Sequence, residues 1–216
     1  MTRRLAFISE HASPLGNLGG ADGGGQNVYV AQLAKHLAAL GYEVDVFTRR
    51  DRRDLPEVVH WIDRVRVIHV DAGPAGFIPK EEMLPYMNDF REWMLKFFRR
   101  QEEAPLRGAY DLIHAHYVFA GILALDLRHV LMRKGPLPIV LTQHGIETQR
   151  GWTAPLCRWT SRRVDRTIAT SPIVKAALGL PGVDVAPCGV DTDLFRPMEQ
   201  AEARAALGLP QSPRLA

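Results

Sequence analysis

Three histidines at the ends of apolar segments are the residues of this chain best suited to proton transfer or ligand binding. His114 and His116 lie two positions apart in one apolar run, and His144 closes another directly before Gly145. Side chains two apart on a strand share one face of a sheet. A strand-end histidine can hydrogen-bond a hydroxyl group or act as an acid or base near neutral pH. The same residues could be purely structural, or ligate a metal ion, although no H-E-x-x-H pattern supports a metal site.

A glycine-rich loop is the second candidate site. Six glycines fall between positions 16 and 25, after the apolar run Leu5–Ser9 and before the helical pattern Val28–Leu37. Strand, glycine loop and helix together present free backbone N–H groups to an anion. The loop matches neither the dinucleotide pattern G-x-G-x-x-G nor the P-loop pattern. We therefore expect either a phosphate-binding loop of another kind or a plain surface turn, and in both cases mobility of residues 16–25.

Composition narrows the classes of function. The 216 residues are 46% hydrophobic and 24% charged, with a formal net charge of +3. The arginines are scattered, so nucleic-acid binding is not expected. Cys157 and Cys188 have no C-x-x-C spacing, which predicts neither a zinc site nor a disulfide. No signal-peptide core or membrane-spanning run is evident, so a cytoplasmic location is expected, while peripheral membrane contact stays open.

Apolar runs and helical patterns alternate along the chain. This alternation predicts an α/β fold with a Rossmann-like, mostly parallel sheet and helices on both faces. The predicted strands are Leu5–Ser9, Glu43–Thr48, Val65–Val70, Asp111–Tyr117, Pro138–Gly145, Arg166–Ser171 and Val183–Pro187. The predicted helices are Val28–Leu37, Lys80–Arg100, one through Leu123, Leu127 and Leu131, Ala154–Val164 and Glu199–Leu207.

The predicted elements gather the candidate residues at one edge of the sheet. Ligands of such sheets bind at the carboxyl ends of the strands, where the glycine loop, His116, Tyr117 and His144 fall. Lys80 opens the predicted helix with a Met and aromatic stripe, which is most simply a buried face. A cation at a helix start suits a phosphate ester, although many such lysines are only solvated.

Four segments in the same order resemble glycosyltransferase family 4. They are residues 23–30 (GGGQNVYV), 114–117 (HAHY), 142–145 (TQHG) and 187–197 (PCGVDTDLFRP). They are most similar to the branch that holds the sucrose-phosphate synthases and the inositol-phosphate glycosyltransferase of mycothiol synthesis. The resemblance implies a retaining enzyme of GT-B fold, in which two Rossmann-like domains enclose the active site.

The resemblance also implies roles for individual residues. Gly23, Gly24 and Gly25 would approach the donor diphosphate and sugar, and His144 would contact the donor sugar near the reacting carbon. The acceptor-binding residues would be Asn27, Lys80, His116, Tyr117 and Arg158. The donor would be a nucleotide-sugar and the acceptor a sugar phosphate or polyol phosphate, with no metal or other cofactor required.

The same resemblance divides the chain into two parts. Residues 1–196 would form the acceptor-binding domain, and residues 197–216 a linker toward a carboxy-terminal donor-binding domain that this sequence lacks. We therefore expect the acceptor-binding domain of a retaining hexosyltransferase, inactive on its own. Two alternatives stay open: a stand-alone sugar-phosphate-binding module without catalysis, and a metal-dependent hydrolase built on His114, His116 and His144.

Overall fold

A computed structural model of the chain describes residues 2–16, 24–100, 110–131, 137–145, 153–193 and 195–211. The strands are β1 (Arg4–Ile8), β2 (Glu43–Arg49), β3 (Val58–Ile62), β4 (Val65–Val70), β5 (Leu112–His116), β6 (Ile139–Gln143), β7 (Arg166–Ala169) and β8 (Asp184–Val185). The α-helices are α1 (Gly25–Ala39), α2 (Met87–Arg100), α3 (Val118–Leu131), α4 (Thr153–Ser161), α5 (Pro172–Leu178) and α6 (Gln200–Ala206).

The described strands form a single eight-stranded sheet in the order β3-β4-β2-β1-β5-β6-β7-β8. All neighbouring pairs are parallel except β3 and β4. The chain runs outward from β1 in one direction through β2 and β4, then returns to add β5 on the other side. The topological switch point of this doubly wound sheet therefore lies between β1 and β5. The predicted fold class is confirmed.

Helices cover both faces of the sheet. Alternate residues of β1 enter two different cores, since Phe7 packs in the core beneath α1 and Ile8 in the core beneath α2 and α3. Strands buried on both faces carry continuous apolar runs, which explains why the strand periodicity of this sequence is weak. Among the described residues, no helix has both the length and the apolar character needed to cross a membrane.

The structure differs from the predicted elements in three places: two elements were missed and one helix begins later. The hairpin strand β3 was missed; it pairs antiparallel with β4, and Arg64 in the turn adopts φ +61°. The predicted helix Lys80–Arg100 begins instead with two 3₁₀ turns, Lys80–Glu82 and Leu84–Tyr86, because Pro85 supplies no backbone N–H to an α-helix. Helix α5 was also missed.

A polar network fixes the amino-terminal edge of the sheet, opposite the candidate site. The buried Asp45 carboxylate accepts two hydrogen bonds of 2.7 Å from Arg66, one of 2.6 Å from the Tyr110 hydroxyl and one of 3.1 Å from Arg4. Burial beside this carboxylate raises the pKa of Tyr110 well above its ordinary value. The network ties β1, β2 and β4 to the residue that leads into β5.

Candidate functional site

The candidate site lies at the carboxyl ends of β1, β5 and β6, beside the switch point. Residues 9–11 follow β1, Tyr117 follows β5, and His144 follows β6. The first turn of α1 borders the site. There Gln26 Nε2 donates to the Ser9 hydroxyl at 3.2 Å and to the His116 carbonyl at 3.4 Å. The parallel register of β1, β5 and β6 brings three chain segments together that are remote in sequence.

The three predicted histidines form one cluster. His114 and His116 lie on the same face of β5, with ring centroids 4.3 Å apart and planes 24° apart. Nδ1 of His116 lies 3.3 Å from Nε2 of His144. Phe7 packs beside the pair, with its ring centroid 5.0 Å from His114 and 5.1 Å from His116. The expectation that His114 and His116 share a face is therefore confirmed.

Burial keeps these histidines neutral. It lowers the pKa of His114 to about 3, with a further contribution from a charge on His144. It also lowers the pKa of His144 to about 3, assisted by the charge of His11, and that of His116 well below its ordinary value. Imidazoles that remain neutral at physiological pH can both donate and accept one hydrogen bond.

The hydrogen-bond pattern favours one arrangement of protons on two of these rings. Nε2 of His116 is buried without a partner in the described structure. A buried N–H left unpaired is rarer than an unpaired acceptor, so the proton of His116 belongs on Nδ1, which donates to Nε2 of His144. The remaining N–H of His144 is then at Nδ1. Such an N–H can donate to a ligand hydroxyl.

Tyr29 on α1 is a neighbour of His144 that the sequence did not reveal. Its ring centroid lies 4.9 Å from that of His144, edge to face. Its hydroxyl bonds the side chain of Thr142, and burial raises its pKa, so the hydroxyl stays protonated. Thr142 in turn lies 2.8 Å from Nε2 of His114. In the sequence, the signal that could have indicated Tyr29 is an aromatic residue one turn into the helix that follows a glycine loop.

The glycine loop is described only in part. Gly23 and residues 17–22 lie outside the described residues, and so does most of the segment expected to be mobile. Gly24 caps α1, its N–H donating to Asn27 Oδ1 at 3.1 Å. A Cβ added at Gly24 or Gly25 would meet no atom within 4 Å, so the backbone there borders open space.

Asn27 holds the loop rather than facing outward. It is buried, and its Nδ2 donates to the Ser13 carbonyl at 2.9 Å while its Oδ1 receives the Gly24 N–H. The bond to Ser13 ties the start of α1 to the segment after β1, and the bond from Gly24 closes the first turn of α1. The predicted contact of Asn27 with an acceptor phosphate stays a prediction.

Lys80 and Tyr117 lie close together, and their roles in acceptor binding stay predictions. Nζ of Lys80 lies 5.8 Å from the Tyr117 ring centroid, and it also pairs with Glu81 at 3.6 Å. Tyr117 adopts φ +84°, a left-handed conformation that is strained for a bulky side chain. Such strain is typical of functional sites, and here it sets the direction of the aromatic ring as the chain leaves β5.

Arg158 stands apart from this cluster. Its guanidinium donates to the carbonyls of Leu178 and Ala177, each at 3.1 Å, and so joins α4 to the end of α5. These contacts give it a structural role, and its predicted role in acceptor binding stays a prediction without support from its surroundings.

Two further residues of the site were missed. The His11 ring lies edge to face with Tyr117, their centroids 5.2 Å apart. Oε1 of Glu10 lies 3.1 Å from Nδ1 of His11. A polar triplet, Ser9-Glu10-His11, directly after a buried strand was the sequence signal that could have found them.

The described part of the chain contains no group of three or more His, Cys, Asp or Glu side chains arranged to hold a metal ion. The metal-dependent hydrolase built on His114, His116 and His144 stays a hypothesis. Cys157 is buried, and Cys188 is exposed.

A doubly wound sheet with a histidine-lined site at its switch point defines this chain as a Rossmann-like domain of the GT-B class. Residues 23–194 match glycosyltransferase family 4. The chain belongs to this family.

Individual proteins similar to this chain narrow the comparison within the family. It is 36% identical over 228 residues to D-inositol 3-phosphate glycosyltransferase of Acidothermus cellulolyticus, covering 96% of this chain and 49% of the relative. Sucrose-phosphate synthase from Thermosynechococcus elongatus superposes with a TM-score of 0.82 at 29% identity, covering 96% of this chain and 53% of that one. Anabaena HepE in complex with UDP and glucose shares the fold, with a TM-score of 0.58 at 16% identity over 95% of this chain and 50% of that one. The chain thus spans about half the length of these relatives.

Proposed function

We propose that this chain is the acceptor-binding domain of a retaining glycosyltransferase that moves a hexosyl group from a nucleotide-sugar to a sugar phosphate or polyol phosphate. The observation that carries the proposal is the proximity of Lys80 to the Tyr117 ring, on the same side of the sheet as His144 at the carboxyl end of β6. The relatives named for an inositol phosphate and for sucrose phosphate support the acceptor class. HepE, with UDP and glucose, supports the donor class at the level of the fold.

The residues of the site suit this reaction. The Lys80 ammonium provides a cation for the acceptor phosphate beside the Tyr117 ring. Nδ1–H of His144 would donate to a hydroxyl of the donor sugar. The backbone at Gly24 and Gly25 leaves room for the donor diphosphate against the start of α1. Fixed donors and cations of this kind stabilise the charge that develops on a departing diphosphate. We propose that no metal or other cofactor takes part.

The second half of the active site would come from a donor-binding domain. A groove of about 560 Å³ runs between α1 and residues 186–193, next to Tyr29. Val190 and Phe195 are largely exposed along the same segment. We propose that residues 197–216 lead toward that domain, that it meets this edge of the sheet, and that the complete enzyme is cytoplasmic.

Replacing His144 by Ala tests the proposal. In a polypeptide that carries both domains, we expect turnover to fall by about 10²–10³-fold, the usual effect of removing one positioned hydrogen-bond donor. Thermal unfolding should change much less. Transfer from UDP-, ADP- and GDP-glucose to inositol phosphate or fructose 6-phosphate is the measurement.

Tyr110→Phe is the matched control, because it removes one hydrogen bond to Asp45 at the opposite edge of the sheet. It should lower the unfolding free energy by about 1.5–3 kcal/mol and leave turnover unchanged. Near-wild-type turnover in His144→Ala would remove that residue from the site. Saturable binding of a sugar phosphate without any transfer product would favour the stand-alone binding module instead.

A further inference from the structure

One oxygen of the buried Glu10 carboxylate has no hydrogen-bond partner among the described residues. The residue is fully buried directly after β1. Its Oε1 lies 3.1 Å from Nδ1 of His11, whereas its Oε2 is buried without a partner in the described structure. Buried carboxylate oxygens are almost always paired, since an unpaired one destabilises the fold. An oxygen left in this state points to a partner that is bound only in the functional complex.

A small cavity adjoins this residue. Its volume is about 30 Å³, and its wall includes Glu10, His11, Ser13, Thr48 and Ile78. A space of this size accommodates one polar group such as a hydroxyl with its carbon, or a single water molecule. Arg49, which also lines the cavity, donates its guanidinium N–H groups to the carbonyls of Pro74 and Gly76.

The cavity lies beside the predicted acceptor-phosphate site. His11 forms part of its wall and contacts the Tyr117 ring at 5.2 Å between centroids. Ile78, which also lines the cavity, comes two residues before Lys80, whose Nζ lies 5.8 Å from the same ring. A molecule whose phosphate is held at Lys80 is therefore placed to extend a neighbouring group toward Glu10.

We propose that Glu10 and this cavity form a hydroxyl subsite, in which Oε2 of Glu10 accepts a hydrogen bond from a hydroxyl of a polyhydroxylated acceptor phosphate. His11 orients the carboxylate through Oε1. The inference rests on the proposed acceptor class and adds a residue that selects among such acceptors. It predicts that Glu10 contributes to binding of a polyol phosphate but not of phosphate itself.

Calorimetric titration of this chain separates the contribution of Glu10 to polyol-phosphate binding from its contribution to binding of phosphate itself. The probes are myo-inositol 1-phosphate, fructose 6-phosphate and inorganic phosphate, and the variants are Glu10→Gln and Glu10→Leu. We expect Glu10→Leu to bind whichever polyol phosphate the wild type prefers at least about tenfold more weakly, as for a lost hydrogen bond to a charged group. Its affinity for inorganic phosphate should stay within about twofold of wild type. Glu10→Gln, which keeps an acceptor oxygen, should lose less.

Thermal unfolding provides the second readout. Glu10→Leu removes the unpaired Oε2 together with the Oε1 contact to His11, so its melting temperature should change little. A cooperative unfolding transition in this variant would show that weaker binding does not come from misfolding. Glu43→Gln, which changes a half-exposed carboxylate at the opposite edge of the sheet, is the control and should bind all three probes as the wild type does.

The outcomes distinguish this inference from the proposed function. Unchanged polyol-phosphate affinity in both Glu10 variants overturns the subsite alone and assigns the cavity to water. An equal loss for inorganic phosphate also overturns it, since Glu10 would then act only by supporting the Lys80 site. A wild-type chain that binds none of the probes contradicts the proposed acceptor class and removes the subsite with it.

Discussion

At the scale of single residues, His144 owes its properties to its neighbours. Tyr29 packs edge to face against its ring, and His116 donates to its Nε2. Burial by such contacts is the main reason that its pKa falls to about 3. A free strand-end histidine would titrate near 6.5 and carry a fractional charge at neutral pH. The surrounding side chains therefore convert an ordinary histidine into a neutral hydrogen-bond donor.

Removing Tyr29 should reverse this effect. We expect Tyr29→Ala to admit water to the His144 ring, so that its pKa rises toward the ordinary value because the desolvation is relieved. NMR titration of the imidazole Cε1–H signal measures the change.

Tyr29→Phe is the matched variant. It keeps the ring contact with His144 and loses only the hydroxyl bond to Thr142. The pKa of His144 should stay low, and the unfolding free energy should fall by about 0.5–1.5 kcal/mol. A pKa that is equally low in both variants would show that Tyr29 does not shield His144.

At the scale of elements, close helix packing holds the strands behind the site. Gly121 on α3 faces Thr160 of α4 and Leu141 of β6, and an added Cβ would approach the Thr160 methyl carbon to 2.7 Å. Leu141 lies one residue before Thr142 and three before His144. The small residue in α3 therefore determines how closely α3 and α4 approach over the strand that carries His144.

Gly121→Ala should destabilise the domain. The gain in helix propensity is about 0.5–1 kcal/mol, whereas overpacking a core contact costs about 1–3 kcal/mol. We expect the steric cost to exceed the gain in helix propensity, so that the unfolding free energy falls. Urea unfolding measures this change.

Thr160→Ser offers the compensating change. It removes the clashing methyl group and keeps the hydroxyl bond to the Leu156 carbonyl. The double variant Gly121→Ala/Thr160→Ser should recover most of the lost stability. If the changes in unfolding free energy caused by the two substitutions simply add, the contact with Thr160 is not the cause of the destabilisation in Gly121→Ala.

At the scale of the whole molecule, the buried histidines make the fold sensitive to acid. The folded pKa of His114 is about 3, against an ordinary value of 6.5. Between these two values the unfolded chain binds a proton that the folded chain excludes. The stabilisation is complete above about pH 6.5 and is lost progressively as the pH falls, by up to about 1.4 kcal/mol per pH unit for this group.

His114→Gln tests this dependence while keeping a polar group near Thr142. Unfolding free energies from urea titrations at pH 7, 6, 5 and 4 should fall less steeply for the variant than for the wild type. Parallel pH profiles would show that His114 is already protonated in the folded protein, or that the unfolded chain also excludes the proton.

The sequence alone determined the elements and the edge at which ligands bind. Local periodicity marks most strands and helices, and parallel strands must gather their carboxyl ends at one edge, so His116, Tyr117 and His144 could be placed there. Even the missed helix α5 has local signals, since Ser171 caps it, Pro172 opens it and Gly179 ends it at φ +62°.

Only the tertiary structure decided which side chains meet. Tyr29 contacts His144, and His11 joins Glu10 to Tyr117, across more than 100 residues of sequence. Arg158, by contrast, bonds the end of α5. Such contacts follow from strand order and helix packing, which act between remote segments and leave no periodic trace within any one of them.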